Sequence, residues 1–466
     1  MAVEQTQVLV IGGGPGGYVT AIRAAQLGFK VTVVEKQYYG GTCLNVGCIP
    51  SKALLEDSNR FAELKHLGGR GINVGEVSLD WPVMQQRKDR VVTELVKGVK
   101  LLLDKNNIAT IDGAAAFTDP HTVAVTTAEG ERTITAEHII IATGSVPSSI
   151  PPITIDNETV WDSTGALNAQ RIPETLAVIG GGYIGMELAS VYRRLGSDVH
   201  IIEMLPAIMP GFDPELVKEA TRAFKKQKFT LHTGRTLAEA EHYEGDWHLT
   251  ITDEAGQTSE LTATHVLVSV GRRPYTNGLN LEAAGLSTNE RGFIAVDANL
   301  RTAQPHIYAI GDVTGGMMLA HKASYEGECA AELIAGHTPD LAKPIPAVVF
   351  TTPQLACVGL TDGEAREQGY EVLAGRFAFR ANGYAKALGE VDGMVKWVAD
   401  AKTDRLLGCH IVGPHAGELI HEATLALTLK AKAKDVQHMI HGHPTLSEAL
   451  HEAVLSLDGR AIHALN

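Results

Sequence analysis

Two cysteines five residues apart, Cys43 and Cys48, stand in the glycine-flanked segment GGTCLNVGCIPSK at residues 40–52. The pattern ALLEDSNRFAEL that follows reads as a helix and puts Cys48 near its N-terminus. There the helix dipole and the nearby Lys52 favour a thiolate, the form that attacks disulfides or donates charge to an electron-poor ring. The spacing is compatible with one helical turn bringing the two sulfurs into bonding range as an exchangeable disulfide. Half of a zinc site is the competing reading; against it, Cys329, Cys357 and Cys409 are not paired at short spacing and no second close pair exists. Those three read as small buried apolar groups.

A second reactive pattern lies near the C-terminus, in HGHPTLSEALHEAVLSL at residues 441–457. Pro444 biases His443 to an extended conformation, Thr445 or Ser447 can cap the next helix, and Glu448 falls in its first turn. A carboxylate at that distance can hold one imidazole nitrogen and raise the basicity of the other, the arrangement of a general base for a thiol. With 19 histidines in the chain, a surface or capping role is the plain alternative. His438, His441 and His451 read as solvated or structural.

These groups need elements to carry them, and the clearest are two repeats of one pattern. Gln7–Val10 reads as a strand, GGGPGG at 12–17 as a turn, and YVTAIRAAQLG as a helix stopping at Gly28. Gly12, Gly14 and Gly17 occupy the G-x-G-x-x-G positions, which allow a tight turn, a close approach of backbone to a pyrophosphate, and close packing of helix on strand. The next strand ends in Glu35, where a carboxylate can accept hydrogen bonds from a ribose. LAVIGGGYIGMELASVYRRLGSDVHIIE at 176–203 repeats the pattern with Gly180, Gly182, Gly185 and the acid Glu203. Two fingerprints imply two dinucleotides. The charge of Glu203 would repel a 2′-phosphate, which argues for NAD over NADP. Arg193 and Arg194, on the intervening helix, read as a solvated face.

The chain has 466 residues and a formal net charge of −14. Its length predicts about three or four domains, and its acidity argues against binding a phosphate backbone. The longest apolar runs, Gln7–Gly12 and His138–Ala142, fall short of the ~20 residues a membrane-spanning helix needs. The N-terminus MAVEQTQVLVIGGG enters a strand at once, with no basic leader, and five sparse cysteines do not form an extracellular disulfide framework. The expected location is therefore the cytosol.

Taken together, these residues resemble the flavoprotein disulfide reductases over essentially the whole chain. The redox segment GGTCLNVGCIPSKALL at 40–55 is the most specific match. Others are ATG at 142–144, VSVGRRP at 268–274, YAIGDV at 308–313, MLAHKA at 318–323, KTDRLLGCHIVGP at 402–414 and HPTLSE at 443–448. The resemblance implies FAD along Gly12–Gly17, with Glu35 on its adenosine ribose, Thr143 and Gly144 near the cofactor, and Asp312 on the ribityl–pyrophosphate region. It implies NAD on Gly180–Gly185, Glu203 and Gly271. Lys52 and Glu187 resemble the ion pair beside the flavin; Cys48 resembles the thiolate facing the flavin, and Cys43 the sulfur that exchanges with substrate. His443, oriented by Glu448, resembles a base supplied by the partner subunit of a homodimer. No metal is expected.

The implied reaction is oxidation of protein-bound dihydrolipoyl groups to lipoyl with transfer of hydride to NAD⁺, serving the lipoyl domains of a 2-oxoacid dehydrogenase complex or the glycine cleavage system. Its rival is an NAD(P)H-dependent reductase of another disulfide, such as glutathione. Tyr183 either packs in its turn or covers the nicotinamide pocket, as in glutathione reductases. His415 stands where many relatives carry Asn. The C-terminus DGRAIHALN lacks the extra cysteines of mercuric reductases and large thioredoxin reductases.

The expected fold is α/β: an FAD domain over residues 1–147 and an NAD domain over 148–271, both Rossmann-like, a central domain over 272–345 completing the FAD site, and an α+β dimerisation domain over 346–466. PSSIPP at 147–152 and AKPIPA at 342–347 mark the first and last boundaries.

Overall fold

Runs of consecutive apolar residues such as LVI at 9–11, LAVI at 176–179 and III at 139–141 suit strands covered on both faces, and each lies between parallel neighbours. The computed structural model describes residues 3–65 and 67–465. Its first sheet runs, in spatial order, Ala109–Asp112, Val31–Glu35, Val3–Ile11, Gly130–Ile141, Thr122–Thr127 and Ala114–Asp119. The first four of these are parallel neighbours. The long strand Gly130–Ile141 has two partners on its other edge. Its N-terminal part pairs antiparallel with Thr122–Thr127, and its last residues pair parallel with Ile307–Ala309.

The second sheet is parallel throughout, in the order Thr230–Thr233, Asp198–Glu203, Thr175–Ile179, His265–Val268 and Val160–Trp161. An antiparallel meander, Arg235–Tyr243, Asp246–Asp253 and Thr258–Ala263, adjoins it. A short ribbon of Ser145–Pro147 against Arg272–Pro274 ties the two halves. The third sheet is antiparallel, ordered Ala347–Val349, Gln354–Gly359, Leu406–Gly413, Met394–Asp400 and Val372–Ala378. Helices Ala416–Thr428 and Glu448–Leu455 pack on it. The fold is thus the expected α/β arrangement, with two Rossmann-like units and a C-terminal α+β unit. Among the described residues no helix is long and apolar enough to cross a membrane.

One apolar cluster joins the units. It contains Leu54 and Leu55 from helix Cys48–Leu64, Met186, Leu188 and Tyr192 from helix Tyr183–Leu195, and Val349, Leu355 and Val412 from the third sheet. Each of these is at least nine-tenths buried, so the helix carrying Cys48 cannot shift without disturbing the packing of both neighbours.

A charged knot crosses the same boundary. Lys396 is 1% exposed and donates to Asp213 at 2.7 Å, Asp362 at 2.8 Å and Glu215 at 2.9 Å. Arg376 also grips Glu215, and Arg366 grips Asp362. A buried ammonium persists only if it is paired and hydrogen-bonded, and three carboxylates from two elements meet that need here.

Candidate active site

Cys43 and Cys48 form a disulfide with a Cα–Cα distance of 4.6 Å. They do not share one continuous helix: Gly41–Val46 forms a first short helix, Gly47 breaks it, and Cys48 opens the helix Cys48–Leu64. Cys48 therefore sits at a helix N-terminus as expected, where the unpaired amides favour a thiolate.

The redox turn is built directly on the first glycine turn. The Gly40 N–H donates to the Gly13 carbonyl at 2.8 Å, and a Cβ on Gly41 would stand 2.6 Å from the Cα of Gly14. Backbone lies on backbone, so the disulfide is fixed relative to the segment that would receive a pyrophosphate.

Both glycine turns share one geometry. Gly12 has φ +108° and Gly180 φ +105°, and a Cβ on either would overlap a carbonyl oxygen, that of Ala142 or Ser269. A Cβ on Gly17 or Gly185 would overlap the carbonyl of Gly12 or Gly180. Helices Pro15–Gln26 and Tyr183–Leu195 then start from extended Gly14 and Gly182. Around Gly182, Gly144 and Gly271 a Cβ would meet nothing within 4 Å, and at Gly14 only the Gly41 Cα at 3.8 Å. Gly14 and Gly182 thus leave open cradles at helix N-termini, which fit two dinucleotide pyrophosphates.

The two acids at the strand ends brace these turns. Glu35 accepts the amides of Gly13 at 2.6 Å, Gln37 at 2.7 Å and Tyr38 at 3.2 Å. Glu203 accepts those of Gly181 at 2.7 Å and Leu205 at 2.8 Å, and is 6% exposed. A carboxylate has about four lone-pair sites, so each retains acceptor capacity for a ribose hydroxyl while holding its turn.

Lys52, one turn into the redox helix, places Nζ 2.9 Å from Glu187 Oε2. Glu187 is 4% exposed and also accepts the Phe350 amide at 2.9 Å. The ammonium lies over the Phe350 ring, 4.7 Å from its centroid. Three parts of the chain thus meet on one buried carboxylate beside the disulfide.

Asp312 lies in the turn Gly311–Thr314 and accepts the Ser145 hydroxyl at 2.5 Å. Thr143 donates its hydroxyl to the Tyr275 carbonyl at 2.6 Å, and Gly144 accepts the Tyr275 amide at 2.9 Å. Gly271, at φ +111°, accepts the Ser148 amide at 3.0 Å. Tyr183 opens its helix with 38% of its surface exposed.

His443 and Glu448 form the expected pair. Nδ1 lies 2.9 Å from Glu448 Oε1, and the ring is 80% exposed. Glu448 is also held by the Thr445 amide at 2.8 Å. Burial raises its affinity for protons, but the Thr445 amide and the His443 imidazole together hold its carboxyl below the usual range. Ser447 occupies the N-cap position without a side-chain cap; Thr445 and Ser447 bond to each other instead, and Thr445 to the Gly442 carbonyl. Within one chain, no hydrogen bond or ion pair among the described residues links this pair to the disulfide helix.

Two sequence expectations fail on Arg193 and Arg194. Neither is a solvated face: Arg193 donates to the carbonyls of Gln227 and Ser197, and Arg194 to the Leu55 carbonyl and the Thr352 hydroxyl. Burial lowers the Arg194 pKa to about 10. Both lie in the last turn, where their reach is set by the units packed against the helix. Residues missed in the sequence include Arg272, which clamps Ser145 through its hydroxyl and carbonyl at 2.7 Å each, and Phe350. Arg272 falls in the motif VSVGRRP, so a signal for it was present; Phe350 had none.

A family description, pyridine nucleotide-disulphide oxidoreductase, matches residues 6–327, and its dimerisation domain matches 345–454. Among curated proteins, the chain is 44% identical to dihydrolipoyl dehydrogenase 1, mitochondrial, of Arabidopsis thaliana, covering 99% of this chain and 92% of that one. It is also 44% identical to a dihydrolipoyl dehydrogenase of Cupriavidus necator, covering 99% of each. Among solved structures it resembles the HOCl-induced flavoprotein disulfide reductase RclA of Escherichia coli, with TM-score 0.85 and 31% identity over 96% of this chain and 99% of that one.

Proposed function

The chain belongs to the pyridine nucleotide-disulphide oxidoreductases, and on that footing we propose that it oxidises dihydrolipoyl groups to lipoyl through the Cys43–Cys48 disulfide, with FAD and NAD⁺ as cofactors. The observation that carries this reading is a disulfide at a helix N-terminus, built on one glycine turn and flanked by Lys52 paired with the buried Glu187. Bound FAD supplies a two-electron relay from the reduced dithiol to NAD⁺, which leaves as NADH.

The protein's own groups perform the exchange. His443 removes the proton of a substrate thiol, and the thiolate attacks Cys43 Sγ. The Cys43–Cys48 bond breaks, Cys48 leaves as a thiolate, and a mixed disulfide joins substrate to Cys43. The second substrate thiol, once deprotonated, attacks the substrate sulfur of that bond. This closes the lipoyl ring and expels Cys43 as a thiolate. The substrate has lost two electrons and two protons, and the enzyme dithiol holds the electrons. Cys48 is the thiolate favoured by its helix N-terminus and by Lys52, and Glu448 holds the His443 ring with Nε2 free to accept the proton. Gly12, Gly14, Gly17, Glu35, Thr143, Gly144 and Asp312 would hold FAD. Gly180, Gly182, Gly185, Glu203 and Gly271 would hold NAD.

The active unit in this reading is a homodimer, in which His443 of one protomer serves the disulfide of the other. Large apolar side chains stand uncovered in the C-terminal unit that carries His443: Leu425, Leu429, Met439, Ile462 and Ile440, the last 95% exposed. Their position within and beside the matched dimerisation segment supports the pairing. Functionally the chain divides at about residues 147, 271 and 345; strand Ile307–Ala309 joins the third part to the sheet of the first. The substrate is carried by a lipoyl-bearing protein of a 2-oxoacid dehydrogenase complex or of the glycine cleavage system.

A side-by-side assay tests the reading. Dihydrolipoamide with NAD⁺ is expected to turn over far faster than glutathione disulfide with NADPH, and a clear preference for the second couple would overturn it.

A further inference from the structure

Two residues before His443 lies a histidine in the opposite setting. His441 has a side chain only 3% exposed, with Nε2 3.0 Å from Glu422 Oε1 and Nδ1 3.4 Å from the Met439 carbonyl. A carboxylate and a carbonyl only accept hydrogen bonds, so the ring satisfies both contacts when both nitrogens carry protons. His443 has one such contact, to Glu448, and no hydrogen-bond partner for Nε2 among the described residues. One ring thus has both nitrogens engaged by acceptors, and the other keeps Nε2 free of such a contact.

The surroundings of His441 come from two helices and its own loop. Glu422 lies on helix Ala416–Thr428. Glu448 and His451 lie on helix Glu448–Leu455, and the His451 ring stacks on His441 at 4.8 Å while its Nε2 bonds to the Gln437 carbonyl at 3.1 Å. Burial works against a charge on His441, but Glu422 foremost, then the Met439 carbonyl and Glu448, raise its proton affinity above the usual value. The His441 charge in turn is one of the influences that hold Glu448 ionised.

We infer that His441 and Glu422 form a positioning pair for the base: they pin the loop at 442–445 between two helices and set the potential in which His443 and Glu448 exchange a proton. The inference rests on His443 being the base of the dithiol reaction. His441 and Glu422 stand as opposite charges 3.0 Å apart beside the loop that carries His443. Each member acts on the substrate only through His443.

The two single variants separate this from simple support of the fold. His441→Gln keeps a hydrogen bond to Glu422 but leaves its negative charge unbalanced, which raises the pKa of His443. The acid limb of the kcat/KM profile for dihydrolipoamide in the holoenzyme is expected to move up by about half a unit to one unit. Glu422→Gln is expected to move it down or leave it in place, and the double variant to return it to the parent position. Movement of both single variants in the same direction, or loss of rate in His441→Gln with the limb unmoved, would overturn the inference. Ring ¹⁵N shifts of the parent protein provide a reading that needs no turnover. Both His441 nitrogens protonated at pH 7 is expected, and a neutral ring would overturn it. Absence of dihydrolipoamide turnover in the parent, by contrast, would strike the base assignment itself.

Discussion

Lys52 Nζ lies 2.9 Å from Glu187 Oε2, although the two residues are 135 positions apart and stand on different helices, Cys48–Leu64 and Tyr183–Leu195. The carboxylate is almost wholly buried while the lysine side chain retains a third of its exposure. Glu187 therefore depends on Lys52 for charge balance more than the reverse. The pair fixes the redox helix to the second glycine unit and sets a positive charge one turn from Cys48.

Replacing Lys52 by Met leaves the Glu187 carboxylate buried with the Phe350 amide as its remaining partner. Breaking a buried pair from one side costs about 3–5 kcal/mol, and the loss is expected as a lower unfolding midpoint in urea. Loss of the cation also raises the pKa of the reduced Cys48 thiol, so the rate of alkylation of reduced enzyme should reach its plateau at higher pH. An unchanged alkylation profile would remove Lys52 from the redox site and leave it a purely structural role.

His443→Gln removes the proton acceptor and keeps a side chain that can bond to Glu448. Loss of a general base typically costs 10²–10⁴-fold, and kcat/KM for dihydrolipoamide is expected to fall by about that factor. Oxidation of NADH by an artificial electron acceptor bypasses the thiol exchange and should persist. Mixing inactive His443→Gln protein with inactive Cys43→Ser protein adds a test of the shared site. Subunit exchange regenerates one intact site per mixed dimer if the base acts across the interface, and none if it acts within its own chain.

How much of this was legible before the coordinates depends on how local each feature is. Gly12, Gly17, Gly180 and Gly185 announce themselves because backbone collisions within one turn dictate glycine there, and the same collisions recur in both repeats. The cysteine pair and the His443–Glu448 contact are likewise short-range. Glu35 and Glu203 were placed correctly at strand ends, yet their bonds to the glycine turns depend on the crossover geometry that folds each strand beside its turn. Arg193 and Arg194 were misread because their partners come from residues 55, 197, 227 and 352. Lys396, set in the largely apolar strand Met394–Asp400, could not be matched to Asp213 by any periodicity, and the choice between a solvated and a structural His441 depended on the packing of two helices.

The repeated turns permit a paired experiment. Gly12→Ala adds a Cβ that overlaps the Ala142 carbonyl on a backbone with positive φ, so the purified protein is expected to carry little flavin. Gly182→Ala adds one in open space at the second helix start and should fold normally with its flavin retained. That Cβ occupies the space assigned to the NAD pyrophosphate, so KM for NAD⁺ is expected to rise at least about tenfold, as for the loss of roughly 1.4 kcal/mol of binding. Retention of parental NAD⁺ affinity in Gly182→Ala would displace NAD from this turn.

The Lys396 knot predicts an acid limit to stability. Hydrogen bonding by Arg376, foremost, and by Lys396 lowers the Glu215 pKa to about 2 against the cost of its partial burial. Asp362 is lowered to about 2 as well, where its bonds to Lys396 and Arg366 outweigh burial. Carboxylates with lowered folded-state values stabilise the protein fully above their unfolded values, near 4, and lose that contribution as pH falls toward 2. The urea midpoint is therefore expected to be flat from neutrality to about pH 5 and to drop steeply between pH 4 and 2. Lys396→Met strands Asp213, which is fully buried, and should lower stability at pH 7 by about 3–5 kcal/mol while flattening that acid drop. Asp213→Asn removes the stranded charge and keeps an oxygen for the Glu215 amide it caps, so the double variant should recover part of the loss; a double variant as unstable as Lys396→Met alone would show that packing, not charge, makes the knot.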